Sequence, residues 1–327
     1  MAVRTFIEAI RSTLADEMRR DETVIVLGED VGLKGGVFLA TDGLFREFGP
    51  ERVIDTPLTE SMIVGASIGA AVNGLRPVPE IQFADFIFPA FNQIVSEAAR
   101  LRYRSNGAFG CPITIRAPFG GGVHGALYHS QSVEAYFTHC PGLKVVVPST
   151  PHDARGLLRS AIRDPDPVLF FEHKKMYRSV RGEVPDTDYT VPIGKAQVTR
   201  AGTQITVAAY GLMAHRALEA AELAADEGIS VEVIDVRTLR PLDTDTLLGS
   251  VRRTGKCVVV YEDNKFGGYG AEIAATIAEQ AFDFLDGPIL RVAGPDVPAV
   301  PYAHALEDWF MVSSERIADA IRQLAAY

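Results

Sequence analysis

Three stretches of the chain combine residue types that can do chemistry. Asp55-Thr56-Pro57-Leu58-Thr59-Glu60 lies where a β-branched run gives way to a helical pattern. Ligands of parallel α/β sheets collect at the carboxyl ends of strands, so a carboxylate here could handle a proton. Spacing alone favours a plainer role for Glu60, an acidic residue complementing the helix dipole in the first turn. The second stretch is Phe119-Gly120-Gly121-Gly122-Val123-His124-Gly125, followed by Leu127-Tyr128-His129-Ser130-Gln131. Histidine titrates near neutrality and suits proton transfer, and glycine permits close backbone approach. Two accounts stay open for His124 and His129: proton transfer, or a flexible connection whose histidines only hydrogen-bond. Glycine between them argues against a helical metal pair, and no third ligand stands at motif spacing. The third stretch is Tyr261-Glu262-Asp263-Asn264 before Phe266-Gly267-Gly268-Tyr269-Gly270. It lacks G-x-G-x-x-G, so an ordinary strand–helix turn accounts for it. No Walker loop, H-E-x-x-H or kinase set occurs.

The elements that must position these residues follow from hydrophobic periodicity. Phe6, Ile7, Ile10, Leu14 and Met18 share one helical face. Strands are expected at 23–27, 52–55, 76–83, 112–116, 144–147 and 167–171. Between them the pattern predicts a helix capped by Thr59, a long amphipathic helix over 87–103, and a helix from Thr150-Pro151 to Ile162. Thr150 is a good N-cap, and proline suits the first helical position. Residues 174–192 are polar and proline-punctuated, so a linker is placed at 176–192. The expected domains are 1–175 and 193–327. Beyond the linker, strands at 204–210, 230–236, 256–261 and 289–292 alternate with helices at 213–227, 244–253, 269–284 and 314–325. Such alternation predicts two α/β domains with mostly parallel sheets, the second smaller.

Composition narrows the function. The 327 residues are 47% hydrophobic and 23% charged, which excludes a disordered chain. The net charge of −10 disfavours general nucleic-acid binding. No apolar run reaches the ~18 residues of a membrane span. The start has neither a signal-peptide core nor transit-peptide bias and reads as a mature cytoplasmic one. Cys111, Cys140 and Cys257 are widely spaced without a C-x-x-C pair, so buried free thiols are expected.

Longer motifs carry a resemblance. GEDVGLKGGVF (28–38), DTPLTE (55–60), EIQFADFIFPAFNQI (80–94), HGALYHSQS (124–132), HCPGLKVVVPS (139–149) and VRTLRPLD (236–243) occur in order. Together they closely resemble the β subunit of the thiamine diphosphate-dependent component of 2-oxoacid dehydrogenase complexes. The wording of 80–94, with RYRS and HGALYHSQS, is most like the branched-chain (2-oxoisovalerate) enzyme. The resemblance spans essentially the whole chain. It implies a parallel-sheet thiamine-type pyrimidine-binding domain followed by a smaller transketolase-type C-terminal α/β domain.

It also implies roles. Glu60 matches the carboxylate that engages N1′ of the aminopyrimidine, so that the cofactor removes its own C2 proton and attacks a 2-oxoacid. His129 matches the histidine beside the reacting carbon, which relays protons while the acyl group passes to a lipoyl group. Glu29, Leu58, Gln82 and Phe86 match positions around the pyrimidine. Phe86 stands where tyrosine is expected, which keeps ring stacking and loses a hydroxyl hydrogen bond. Ile113, Ala161 and Asp164 match positions whose backbone carbonyls bind K+ in some members. No Gly-Asp-Gly triplet occurs in the chain. The family answer is a separate α subunit that holds Mg2+ and the diphosphate, with the site shared in an α2β2 heterotetramer. Further implied partners are a lipoyl-bearing acyltransferase core and a small 2-oxoacid substrate. Rival readings are the equivalent pyruvate or acetoin dehydrogenase subunit and a non-catalytic docking scaffold. Retained Glu60 and His129 speak against the scaffold.

Overall fold

The computed structural model describes residues 2–327. They form two units, residues 2–119 with 136–193, and Gly120–Ala135 with Gly194–Tyr327.

In chain order the first unit contains β1 (Ala2–Thr5), α1 (Phe6–Arg20), β2 (Val24–Gly28), α2 (Leu44–Phe48), β3 (Val53–Asp55), α3 (Glu60–Val72), β4 (Arg76–Glu80), α4 (Leu101–Arg104) and β5 (Thr114–Phe119). After α5 (Glu134–Thr138), which begins among residues of the second unit, come β6 (Lys144–Val146), α6 (Pro151–Arg163), β7 (Val168–His173), α7 (Met176–Ser179) and β8 (Arg181–Val184). Six of its strands lie in the order β6-β7-β5-β4-β2-β3, all parallel. Every residue of β2, β5 and β7 is buried, as expected when helices cover both faces of a parallel sheet. The predicted helical stripe of α1 is real: Phe6, Ile7, Ile10, Leu14 and Met18 are all buried. A capping box starts this helix, with Thr5 and Glu8 each accepting from the other's backbone N–H. Thr150 caps α6 as its sequence predicts, accepting from Asp153 N at 3.1 Å.

Two expectations differ from the structure. The helix over 87–103 is replaced by a 3-10 turn (Phe88–Ala90), a π-helix (Gln93–Ala98) and α4, with a separate 3-10 turn (Ala84–Phe86) just before it. Pro89 has no N–H for a continuous ladder, and the wider turn at Ile94 shifts the bonding to Ala99 N→Ile94 O, 3.0 Å. The stretch placed as a linker carries α7 and β8. Strand β8 pairs antiparallel with β1 and gives the polar run its backbone partners.

The second unit contains β9 (Gln197–Arg200), β10 (Ile205–Ala209), α8 (Leu212–Ala225), β11 (Val231–Asp235), β12 (Thr238–Arg240), α9 (Thr244–Thr254), β13 (Cys257–Asn264), α10 (Gly270–Gln280), β14 (Leu290–Gly294), α11 (His304–Phe310) and α12 (Ser314–Ala325). Its sheet runs β14-β13-β10-β11-β9, parallel except for β9, a strand that periodicity did not reveal. The alanine-rich inner face of α8 and the Ile317, Ile321 and Leu324 stripe of α12 enclose the core. All three cysteines are buried, and none is in a disulfide. Among the described residues no helix is long and apolar enough to cross a membrane.

Candidate active site

The carboxyl ends of three neighbouring strands build the first part of the site. In the parallel ladders Gly28 stands opposite both Asp55 and Glu80. The segments that follow these residues, carrying Glu29, Leu58 with Glu60, and Gln82 with Phe86, therefore emerge side by side. This is the rim at which such sheets bind ligands. Two contacts fix the neighbours further: Thr56 N donates to Gly28 O at 2.9 Å, and Gly32 N donates to Asp55 Oδ1 at 2.6 Å. A Cβ at residue 32 would lie 2.3 Å from Asp55 Oδ2, so a larger residue would displace that carboxylate.

Glu60 is the first residue of α3 and is 7% exposed. Thr59 occupies the N-cap position without a side-chain cap bond, and its carbonyl accepts from Met62 N and Ile63 N. At the other end α3 stops in a Schellman motif. Gly74 has φ +97°, Gly74 N donates to Ala71 O, and Leu75 N donates to Ala70 O, both at 3.1 Å. Burial, followed by the charge of Glu60 and then Asp30, holds the Glu29 carboxyl above the usual carboxylate range. The Glu60 charge is thus felt at Glu29 on the same rim. Leu58 is 77% exposed, a large apolar side chain standing out at a strand end. Gln82 and Phe86 are half-buried, and Phe86 meets Phe83 edge-on at 6.0 Å between ring centroids.

A buried ion cluster stiffens the floor. Arg116 on β5 is fully buried and forms a two-pronged pair with Glu172 on β7, at 2.6 and 2.7 Å. Its third nitrogen reaches Glu80 on β4 at 2.5 Å, and Tyr177 adds a hydrogen bond to Glu172 at 2.6 Å. Removing one member of such a cluster typically costs about 3–5 kcal/mol, because the others stay buried and unpaired. The strand ends are accordingly rigid.

The carbonyls matched to a K+ site all accept hydrogen bonds. Ile113 O receives Val168 N, Ala161 O receives Asp164 N, and Asp164 O receives Arg76 Nη1 at 3.2 Å. The Arg76 guanidinium also reaches Ile162 O at 2.9 Å, so positive charge already faces these carbonyls.

His129 belongs to the second unit, in the loop Gly120–Ala135. Sequence order attaches this loop to the end of β5, and the expected domain 1–175 includes it. Its partners lie elsewhere, on β13 and α11. Gly121 N donates to Glu262 Oε1 at 2.6 Å, and Gly122 N and His124 N donate to Glu307 Oε1 at 2.8 and 3.2 Å. Gly120 N closes the loop on Gln131 O at 3.0 Å, giving a compact Ω-like turn. His129 is half-buried within it. Glu134 at the end of the loop is fully buried and accepts from Tyr210 OH at 2.8 Å. Burial and the nearby Asp263 charge push its carboxyl up to about 8, and burial also raises Asp263.

Sequence reasoning passed over Glu262, Glu307 and Glu134. Glu262 lay in a stretch read as an ordinary turn, and Glu307 and Glu134 stand in no motif. Their roles depend on contacts more than a hundred residues apart in the chain for Glu262 and Glu307, so no local pattern marks them.

A parallel sheet with a carboxylate rim, followed by a second α/β unit that takes in the histidine loop, is the architecture of transketolase-type proteins. Residues 3–180 match the model of the transketolase pyrimidine binding domain, and residues 194–317 match the transketolase C-terminal domain. The chain is 58% identical to the 2-oxoisovalerate dehydrogenase subunit beta of Bacillus subtilis (strain 168), over 327 residues that cover all of both chains. It is 50% identical to the pyruvate dehydrogenase E1 component subunit beta of the same organism, covering 94% of this chain and 95% of the relative. Among solved structures, a protein titled split gene transketolase, inactive beta4 tetramer, superposes with a TM-score of 0.79 at 25% identity, covering 98% of each chain. The chain belongs to the family of 2-oxoacid dehydrogenase β subunits, which are thiamine diphosphate-dependent.

Proposed function

We propose that this chain is the β half of a branched-chain 2-oxoacid dehydrogenase, active when joined to an α subunit. The observation that carries the reading is Glu60, a buried carboxylate at the carboxyl rim of the parallel sheet. Thiamine diphosphate, when bound, supplies the carbanion chemistry that decarboxylates a 2-oxoacid. The donor set fits the pyrimidine end of that cofactor: Glu60 as the carboxylate for a ring nitrogen, Leu58 and Phe86 as apolar surface, Gln82 and Glu29 as polar edge. Glu60 holds or shares a proton at the pyrimidine N1′, beside a Glu29 carboxyl that burial and then the Glu60 charge hold above the usual range. His129 handles the proton of the acyl-transfer half, in which the acyl group passes to a lipoyl group of the acyltransferase core. The diphosphate and Mg2+ fall to the α subunit, because the chain has no Gly-Asp-Gly motif. K+ is given no part in the reaction.

The partner is supported by α3. Its sequence ESMIVGASIGAAV carries one charge, at Glu60, yet Met62, Ala66, Gly69 and Val72 are exposed along one face. A helix that is apolar all round is ordinarily covered on all sides.

Branched-chain preference rests on the motif wording of 80–94 and on the 2-oxoisovalerate relative. The 50% identical pyruvate relative keeps that substrate as the second reading. Each added methylene held in an apolar pocket is worth about 1–3 kcal/mol in specificity. Steady-state decarboxylation by the reconstituted α/β pair should therefore give a larger kcat/KM for 3-methyl-2-oxobutanoate than for pyruvate. Equal or better kcat/KM for pyruvate would overturn the substrate assignment.

A further inference from the structure

The loop that carries His129 is held by side chains where main-chain carbonyls would be the usual partners. Its amides at Gly121, Gly122 and His124 all end on carboxylates, one on Glu262 and two on a single oxygen of Glu307. Glu262 also accepts from Ser132 Oγ at 3.3 Å, on the far side of the loop. The second oxygen of Glu307 lies in close contact with His124 Nδ1, and the His124 ring lies against the ring of His304 with 3.6 Å between centroids. Both glutamates are almost fully buried, Glu307 at 1% and Glu262 at 3% exposure. A buried carboxylate is unfavourable unless its oxygens are well supplied with donors, and here the loop is what supplies them.

We propose that Glu262 and Glu307 are positioning residues that clamp this loop and so set the place of His129 in acyl transfer. The proposal rests on the reading of His129 given above. The backbone explains why a clamp is needed. His124 and Ala126 are non-glycine residues with φ of 56° and 57°, a region that L-residues avoid. Such a conformation persists only where the surroundings over-determine it. The Glu307 oxygen takes the His124 amide itself, at the first of these two residues. Gly125 is fixed by close approach, since a Cβ there would lie 2.8 Å from His129 O, and Gly121 lies close under the Met311 side chain, a Cβ there falling 2.8 Å from its Sδ. Met311 directly follows α11, the helix that carries Glu307, so the same segment holds the loop by an ion and by contact. His129 follows one 3-10 turn later, its N–H donating to Ala126 O at 3.3 Å. Any slack at 121–124 is passed directly to its imidazole.

The test uses the reconstituted α/β pair with a lipoyl domain. It compares Glu307→Ala, Glu307→Gln and Glu262→Gln, each alone and combined with His129→Ala. Misplacing a catalytic group by about 1 Å can cost on the order of 10²-fold. Glu307→Ala should lower lipoyl acylation by roughly that factor and lower dye-coupled decarboxylation less. Glu307→Gln keeps one acceptor oxygen and should fall between. In the His129→Ala background Glu307→Ala should add no further loss beyond about twofold, since it acts through the missing imidazole. Amide exchange over 120–132 should rise in the Glu307 variants while the strands of the second unit stay protected. Full additivity with His129→Ala, or unchanged exchange and transfer, would overturn the clamp. Intact lipoyl transfer in His129→Ala alone would instead overturn the role of His129, and the exchange data would then report the clamp separately. Should Glu307→Ala fail to assemble, Glu307→Gln and Glu262→Gln carry the same comparison.

Discussion

Glu60 shows how one side chain can satisfy two accounts at once. Its position in the first turn of α3 complements the helix dipole, and its burial at the sheet rim suits it to hold a proton for a bound pyrimidine. Substitution separates the two. Glu60→Gln keeps shape and polarity, so pairing with an α subunit should persist while turnover falls by about 10²–10⁴-fold. Turnover within a few-fold of wild type, measured at saturating thiamine diphosphate and Mg2+, would leave only the helix-start role. Glu134 makes a different prediction. Its carboxyl is raised to about 8 in the folded chain from 4.5, so the folded state binds its proton more tightly than the unfolded state does. That contribution to stability is fully present below about pH 4.5 and is lost as pH rises through about 8. Glu134→Gln should therefore flatten the decline in stability between pH 5 and 9 and gain on wild type at the alkaline end. Urea melts across that range check it, and parallel curves for the two proteins would refute it.

At the scale of elements, α3 does two jobs. It delivers Glu60 at one end and turns an uncharged face outward along its length. If that face is the seat of a partner, Ala66→Glu should leave the isolated chain within about 0.5 kcal/mol of wild type, as an exposed substitution does. Burying the new charge on assembly should cost several kcal/mol, or at least about 10²-fold in affinity for the α subunit. Sedimentation of the mixed subunits reads the second effect and thermal melts the first; undiminished assembly would move the interface elsewhere. The segment over 87–103 is the element that periodicity misjudged. Its apolar spacing was helical, but Pro89 and the π turn at Gln93–Ala98 divide it, and π turns often stand next to functional positions. Phe86 lies in a separate 3-10 turn just before this segment.

On the proposed reading the whole molecule supplies the pyrimidine half of a thiamine site, and it lacks the Gly-Asp-Gly motif for the diphosphate half. The isolated chain should accordingly show no tight binding of thiamine diphosphate with Mg2+ in calorimetry, and binding should appear when the α subunit is added. Tight one-to-one binding by the chain alone would sink the shared-site reading. The net charge of −10 keeps such a chain dispersed before assembly and says little about the site itself.

Local chemistry made much of this protein legible from its residues. Alternating β-branched runs and amphipathic stripes marked the parallel sheets, Thr150 marked a helix start, and DTPLTE put a carboxylate at a strand end. These are properties of neighbours in the chain, carried by periods of two and 3.6 residues and by caps. Strand β9, the pairing of β1 with β8, and the membership of the histidine loop were decided only by the tertiary structure. The loop follows β5 in sequence, but its amides are satisfied by Glu262 and Glu307, over 140 and 180 residues away. Buried N–H groups must find acceptors somewhere, and folding alone determines which distant side chain arrives to accept.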